Sequence, residues 1–430
     1  MKEDILIRGQ NMKFKDNILN TKLKIENVEF LFLLLYFAAM SAHQLGQGFD
    51  AVFVRVIFVV LIIGVFVINK KFVISDVFKW SVVFWGFYML SCLWSKNVND
   101  TLYYKNNMIQ IVAICLLLPT IIKSKEDFLK VLKLLLFSLV YTSILIILRT
   151  PISDWGTGRI GTVVGMNPNF LGFRLAIGAM IALFFTYKNR KENNRIGIIK
   201  YLILFIIISI LVLFSGSKRA LIILGVGFTC MELFNSKGRK LIFKVITILC
   251  IGITVALSMF YNNKLYTTIG KRVEKFVWTI VKGDAVNISD KDTSLVERTF
   301  YVDEAIKLFV ENPILGCGGN NFRTKMREIS YKHVSYSHNN FVELLSTLGI
   351  IGFLIYYAFV VKTIIKLFIN TNKAGDELIA TLLFILMILI SISDFATVSY
   401  VDEFNIIILC LASIYINIAG KEKMKLICGR

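Results

Sequence analysis

Histidine is nearly absent from this chain: His43, His333 and His338 are its only three in 430 residues. So few, and so far apart, argue against a zinc centre, which needs clustered His and Cys ligands. Cysteine is scattered as well. Cys92, Cys115, Cys230, Cys250 and Cys410 fall in apolar runs, Cys428 in the tail and Cys317 alone in a large loop, with no C-x-x-C spacing. Neither a disulfide framework nor a metal knuckle is written here. No internal repeat, low-complexity linker or separate soluble domain is visible. Acidic residues are outnumbered, 29 Asp and Glu against 49 Lys and Arg, a formal charge of +20. In a soluble protein that excess would suggest nucleic acid. No basic surface interleaved with aromatics lies outside the apolar runs, so no nucleic-acid partner is expected.

What the chain has in abundance is apolar length. It is 56% hydrophobic with a mean hydropathy of +0.68, gathered into runs of roughly 17–25 residues, enough to cross a bilayer. The runs are continuous rather than alternating, so they are helices, because lipid admits only helices and closed barrels. The expected fold is an all-α, polytopic membrane bundle of about twelve spans. Their centres fall near residues 35, 60, 86, 114, 138, 177, 205, 227, 250, 355, 387 and 410. Residues 1–27 form a polar, basic tail, 28–260 hold spans one to nine, 338–420 hold spans ten to twelve, and 421–430 close the chain. The run from Val28 resembles a signal sequence, but the many spans after it favour an uncleaved first helix.

Lys and Arg crowd alternate loops: Lys2 to Lys24, Lys70-Lys71, Lys123 and Lys125, residues 188–195, Lys237 to Lys240, and Lys421 to Lys425. With twelve spans these share one side, so both termini are expected in the cytoplasm of a bacterial inner or plasma membrane. The opposite side holds one exceptional segment, residues 261–337, too long for an ordinary connection. Within it Ser294-Leu295-Val296-Glu297 has the form of a capping box. Leu295, Thr299, Val302, Ile306 and Phe309 then repeat at helical spacing. Asn312-Pro313 ends that helix and Gly316-Cys317-Gly318-Gly319 turns the chain. Three of the four prolines, Pro151, Pro168 and Pro313, lie on this outer side.

Spans six, eight and ten open on the outer side, each behind a capping signal: Asn167-Pro168-Asn169, Ser215-Gly216-Ser217 and Ser337-His338-Asn339. A helix start offers free N–H donors and partial positive charge, which favours an anion. Arginine there is locally unfavourable, yet Arg159 and Arg174 flank one start and Lys218-Arg219 opens another. The conflict disappears if an anion normally sits between them, and three such ends suggest a clamp for a phosphate or diphosphate. The plainer alternative for Lys218, Arg219, Arg174 and Arg55 is snorkelling to the interface. Arg298, on the loop helix, reads on sequence alone as an ordinary solvated arginine on a polar face. His338 is either a capping residue, a base for a hydroxyl proton or a phosphate contact. Glu343 is a candidate buried acid. Gly318 and Gly319 are a weak phosphate-loop signal.

These segments, in this order, resemble the superfamily of O-antigen ligases and O-antigen polymerases. His338 and Gly349 match its His-x10-Gly signature, and Ser217-Lys218-Arg219-Ala220 its arginine before a span. GRIGTVVGMNPNFLG (158–172) resembles its Gly-Arg to Asn-Pro-Asn segment. ERTFYVDEAIKLFVENPILGCGGNNF (297–322) resembles its arginine-led loop helix. The likeness covers about residues 150–355; it departs at Ile223, where the ligase pattern has leucine.

The resemblance implies glycosyl transfer without a metal or other cofactor, from an undecaprenyl-diphosphate-linked glycan to a glycan acceptor. It gives His338, Arg219 and Arg298 catalytic roles, and Arg159, Arg174, Lys218, Asn169, Asn339 and Tyr336 roles in binding donor and sugar. The bilayer is an implied partner, with a flippase and a chain-length regulator as further candidates. Within that family the chain reads as a polymerase of repeat units for capsule or O-antigen. The nearest alternative is a ligase or oligosaccharyltransferase delivering glycan to lipid A-core, protein or another acceptor. A flippase for the same lipid is the alternative of another class, disfavoured because no inverted repeat appears and the candidates sit at an outer edge.

Overall fold

A computed structural model describes residues 28–41, 48–155, 159–161, 167–235, 261–263, 266–282, 293–329, 335–371 and 377–428. The described elements are helical throughout. They are α1 (Val28–Ser41), α2 (Gly48–Asn69), α3 (Asp76–Leu90), α4 (Val98–Thr101), α5 (Lys105–Ile121), α6 (Lys125–Arg149), α7 (Pro168–Lys191) and α8 (Arg195–Phe214). After α9 (Lys218–Phe234) come α10 (Lys271–Lys282), α11 (Thr293–Glu311) and α12 (Phe322–Ile329), then α13 (Asn340–Thr371), α14 (Glu377–Ser393) and α15 (Glu403–Cys428).

Among the described residues seven helices are long and apolar enough to cross a membrane, and α1 and α14 are shorter apolar helices. Every expected span centre except the one near residue 250 falls inside a helix. That ninth span lies outside the described residues, as do His43, His333, the basic group at 237–240 and the N-terminal tail.

The bundle is organised around α7, which is buried along most of its length. Its sequence, PNFLGFRLAIGAMIALFF, is rich in glycine and alanine, and small residues let helices approach closely without a hydrophobic drive between them. At Gly172 a Cβ would stand 2.9 Å from the Cβ of Ala220 and 2.5 Å from Ser215 Oγ. That closeness seats the α8–α9 turn, with Lys218 and Arg219, directly against the start of α7. By contrast α2 and α8 turn much of their surface outward, with Val52, Val56, Ile63, Ile199, Ile203 and Ile210 exposed.

Sequence reasoning expects one uninterrupted span from His338, and here the structure differs. The helix α13 is broken at Gly349, whose φ of 64° and ψ of −170° are non-helical and nearly exclusive to glycine. Into the break comes the loop after α11. Cys317 N donates to Ser346 O and Gly318 N to Thr347 O, while Ile350 N donates to Pro313 O, each at 2.9 Å. The loop thus supplies peptide partners that the interrupted helix loses, as a buried backbone requires. A Cβ on Gly349 would overlap the Ile314 carbonyl.

The same contacts correct the phosphate-loop reading of Gly318 and Gly319. One amide is given to Thr347 and the other, Gly319 N, donates to Ser91 Oγ at 2.8 Å. The loop is further tied to the α3–α4 region by Asn321, which accepts from Asn97 N at 2.8 Å, and by Arg327 Nη2, 2.8 Å from Asp100 Oδ1. Helix α11 spans the expected stretch and ends before Asn312-Pro313 as predicted, though it begins ahead of the capping-box serine. Helices α10 and α12 are additions the sequence reading did not include. Tyr301, Ala305, Leu308, Phe322 and Met326 form a small core joining α11 to α12.

Candidate functional site

The three helix starts singled out by sequence meet at one end of the bundle. At the first, Asn167 accepts from Asn169 N at 2.8 Å with Pro168 as the opening residue. This cap fixes Asn169, whose main-chain oxygen accepts from Arg219 Nη2 at 2.9 Å. The Asn169 side chain accepts from Arg159 Nη2 at 2.6 Å, and Arg159 Nε donates to Ser215 O at 3.0 Å. One asparagine therefore holds two arginines, one from the loop before α7 and one from the first turn of α9.

At the second start Ser217 accepts from Ala220 N at 3.3 Å, leaving Lys218 and Arg219 as first-turn residues. The Arg219 guanidinium lies over the rings of Phe170 and Phe173, at 5.6 and 5.1 Å. Its Nε is buried without a hydrogen-bond partner. Lys218 lies over the Phe276 ring of α10 at 4.7 Å.

At the third start His338 adopts a left-handed φ of 57° and precedes the cap residue Asn339, which accepts from Phe341 N and Val342 N at 2.9 and 3.3 Å. The imidazole packs between Tyr336 and Tyr301, with ring centroids 4.2 and 5.6 Å away, and its Nε2 is 3.2 Å from Ser335 Oγ. Tyr301 lies three residues after Arg298 on α11, so one turn of that helix places both beside the histidine. Burial, then the positive charges of Arg298 and Arg219, push His338 down to about 4. The ring is therefore neutral at neutral pH, able to accept a proton or hydrogen bond. Arg159 is pushed down to about 10 by burial and by Arg272 and Arg298, and it remains a cation.

Between these starts and α11 lies a cavity of about 460 Å³. Lys218, Arg219 and Arg298 face it, against walls that include Ile223, Val302 and Ile392. Phe395, 69% exposed, and Ile222, 49% exposed, also line it, so its apolar side is open to the surroundings of the bundle. Among the described residues neither Arg219 nor Arg298 is paired with a carboxylate. The arrangement offers unneutralised cations, a neutral imidazole nearby and an apolar flank. Chemically, that suits an amphiphilic anion whose departing charge is met by guanidinium groups. Two larger recesses, of about 580 and 850 Å³, hold none of the nine candidates.

The structure thus brings together Arg219, Arg298, Lys218, Arg159, Asn169, Tyr336 and His338. Two candidates have other engagements. Arg174 Nη2 is 3.1 Å from Asp402 Oδ1, Nη1 donates to Met40 O at 2.8 Å, and the group lies over Phe404. The Asn339 side chain is occupied as the cap of α13. Arg55 is exposed on α2. Glu343 is buried and its carboxylate accepts from Ser337 N at 2.8 Å, a bond that holds the turn carrying His338.

One residue of this neighbourhood escaped the sequence reading. Asp394, just beyond α14, is buried; its side chain accepts from the Tyr357 hydroxyl at 2.9 Å and its main-chain oxygen from Asn340 N at 2.8 Å. Burial pushes its carboxyl up to about 7. Its only sequence signal is an acid immediately after an apolar run.

Residues 202–357 match a family model described as O-antigen ligase. The match runs from α8 through α9 and α11 into α13 and takes in Arg219, Arg298, Tyr336 and His338. The match covers a little over a third of the chain and is a similarity of that stretch to the family. No curated protein matches the chain.

Proposed function

We propose that this protein is an integral membrane glycosyltransferase that polymerises undecaprenyl-diphosphate-linked oligosaccharide repeat units into a capsular or O-antigen polysaccharide. The reaction takes place at the outer face of the cytoplasmic membrane. The observation that carries the reading is the convergence of Arg219 and Arg298 on one open-sided, largely apolar cavity beside His338.

In this reading the polyprenyl chain lies along the apolar flank, and the diphosphate sits between Lys218, Arg219 and Arg298. The acceptor hydroxyl attacks the anomeric carbon as the bond from that carbon to the diphosphate oxygen breaks. The lipid diphosphate leaves with the bonding electrons, and His338 takes the hydroxyl proton. Charge builds on the leaving diphosphate, so guanidinium groups held by Asn169 and the phenylalanine faces favour the transition state over the bound donor. These side chains, rather than a metal ion, meet that charge. Arg159 supports the site by holding Asn169, and Arg174 supports it at a distance through Asp402.

Transfer to a preformed acceptor is the second reading, favoured by the description of the matching family. The test is reconstitution of the purified protein with a diphosphate-lipid repeat unit, with and without an added acceptor. A ladder of lengthening products is the expected result. A single transfer that needs the added acceptor replaces polymerase by ligase, and movement of intact donor across vesicles without transfer replaces both by a flippase.

A further inference from the structure

A second recess, of about 850 Å³, lies at the other end of the bundle, between the α2–α3 turn, the α5–α6 turn and the far ends of α13 and α15. Lys366, on its rim, stands roughly 25 Å along the part of α13 that follows the Gly349 break at 1.5 Å per residue, close to the hydrocarbon thickness of a bilayer. Three exposed lysines face the recess: Lys123, Lys366 and Lys421. They come from three separate elements, so no single basic loop accounts for their meeting. Asp76 is the one acid in the lining. Lys123 Nζ donates to Asn69 Oδ1 at 2.6 Å, whereas among the described residues the side chains of Lys366 and Lys421 make neither an ion pair nor a hydrogen bond.

The rest of the wall is apolar in character. At the lip Val73 is 45% and Ile74 57% exposed, on a turn where water-facing residues would be the ordinary choice. Ile122 and Ile414 continue that wall inward. Lysines placed only to orient the chain in the membrane need neither a recess nor an apolar wall behind them. Cations around a hydrophobic-walled hollow at the membrane boundary fit a ligand that is anionic at one end and apolar at the other.

We infer that this recess binds an anionic phospholipid of the adjacent leaflet, its phosphate among Lys123, Lys366 and Lys421 and its glyceryl and upper acyl region against Val73, Ile74 and Ile122. The bound lipid fastens the ends of α13 and α15 to the two turns. The inference is independent of the glycosyl-transfer reading, since none of these residues lies at the arginine cavity.

The test is native mass spectrometry of the full-length protein released from detergent in the presence of phosphatidylglycerol or phosphatidylcholine. One phosphatidylglycerol is expected to stay bound after others are stripped. The K123Q/K366Q/K421Q variant should bind it about a hundredfold more weakly, the fold-change that corresponds to three surface lysines at about 1 kcal/mol each toward anionic lipid. Phosphatidylcholine retention should be unchanged. A photoreactive phosphatidylglycerol added to the unaltered protein should label peptides spanning 119–124 and 414–421, a readout that does not depend on the variant folding. Equal retention by variant and parent overturns the inference, as does labelling confined to other helices. Displacement of the lipid by millimolar inorganic phosphate also overturns it, by making this a simple anion site.

Discussion

Two arginines enter adjacent helices from the same end of this bundle, and their surroundings differ in one respect that decides what each can do. Arg174, two turns into α7, meets Asp402, and both side chains are 9% exposed. Its charge is cancelled within the protein. Arg219, in the first turn of α9, meets a carbonyl, two aromatic faces and a cavity, and among the described residues it forms no ion pair with a carboxylate. Its charge remains available. A buried ion pair contributes to architecture, whereas a guanidinium held by neutral groups is preorganised for an anion from outside. Both arginines are near a helix start, but only one has charge to spare for a ligand.

The comparison breaks most visibly at Asp402. Asp402→Asn leaves Arg174 charged and unpaired, and removing one partner of a buried pair costs about 3–5 kcal/mol. The expected result is a large loss of thermal stability in detergent. The double variant Arg174→Met/Asp402→Asn should recover part of it, because the buried charge is gone while the side chain at 402 still accepts from Phe404 N at the start of α15. A double variant as unstable as the single one would mean that Arg174 has a ligand of its own. Arg219→Ala comes next: transfer from a lipid-diphosphate donor should fall about 10²–10³-fold in single-turnover assays with the melting temperature little changed. Arg219→Lys should recover only part of the rate, since an ammonium cannot grip the Asn169 carbonyl and an anion with one planar fork. If Arg174→Met in the recovered double variant abolishes transfer while Arg219→Ala does not, the roles are reversed.

The pattern of caps made much of this site readable in the sequence. Asn167-Pro168 and Ser217 stand immediately before apolar runs, so the helix starts and the arginines beside them are local features. The distinction between Arg174 and Arg219 is not local, because Asp402 is 228 residues away from its partner. Asp394 escaped for the same reason: what marks it is burial against Tyr357 and α13, which no neighbouring residue announces. The break in α13 was also hidden. LLSTLGIIGFL is apolar on both sides of Gly349, and only the loop from Pro313 to Gly318 reveals why a glycine is required there. Gly349→Ala forces a side chain into the left-handed region and onto the Ile314 carbonyl. A loss of about 1–3 kcal/mol is expected, read as a lower melting temperature. Because that loop continues from α11, the variant should also loosen Arg298 relative to His338 and lower transfer in the protein that remains folded.

The finest test of the comparison uses His338 as a sensor of unneutralised charge. Burial is the first cause that holds its imidazole down to about 4, and the charges of Arg298 and Arg219 are the next. A group depressed in this way is protonated only in strong acid, so kcat/KM should stay level as pH falls from about 8 to about 5.5, well below the ordinary histidine range near 6.5. Arg298→Gln removes one positive charge, which makes protonation easier and raises the histidine pKa. The acid limb of kcat/KM should move upward in that variant, yet stay below the ordinary value because burial remains. Asp402→Asn should leave the limb where it is, since neither Asp402 nor Arg174 is among the charges that hold the imidazole down. A limb that ignores Arg298→Gln would separate the arginine from the histidine, and with it the idea that one cavity receives both the departing anion and the attacking hydroxyl.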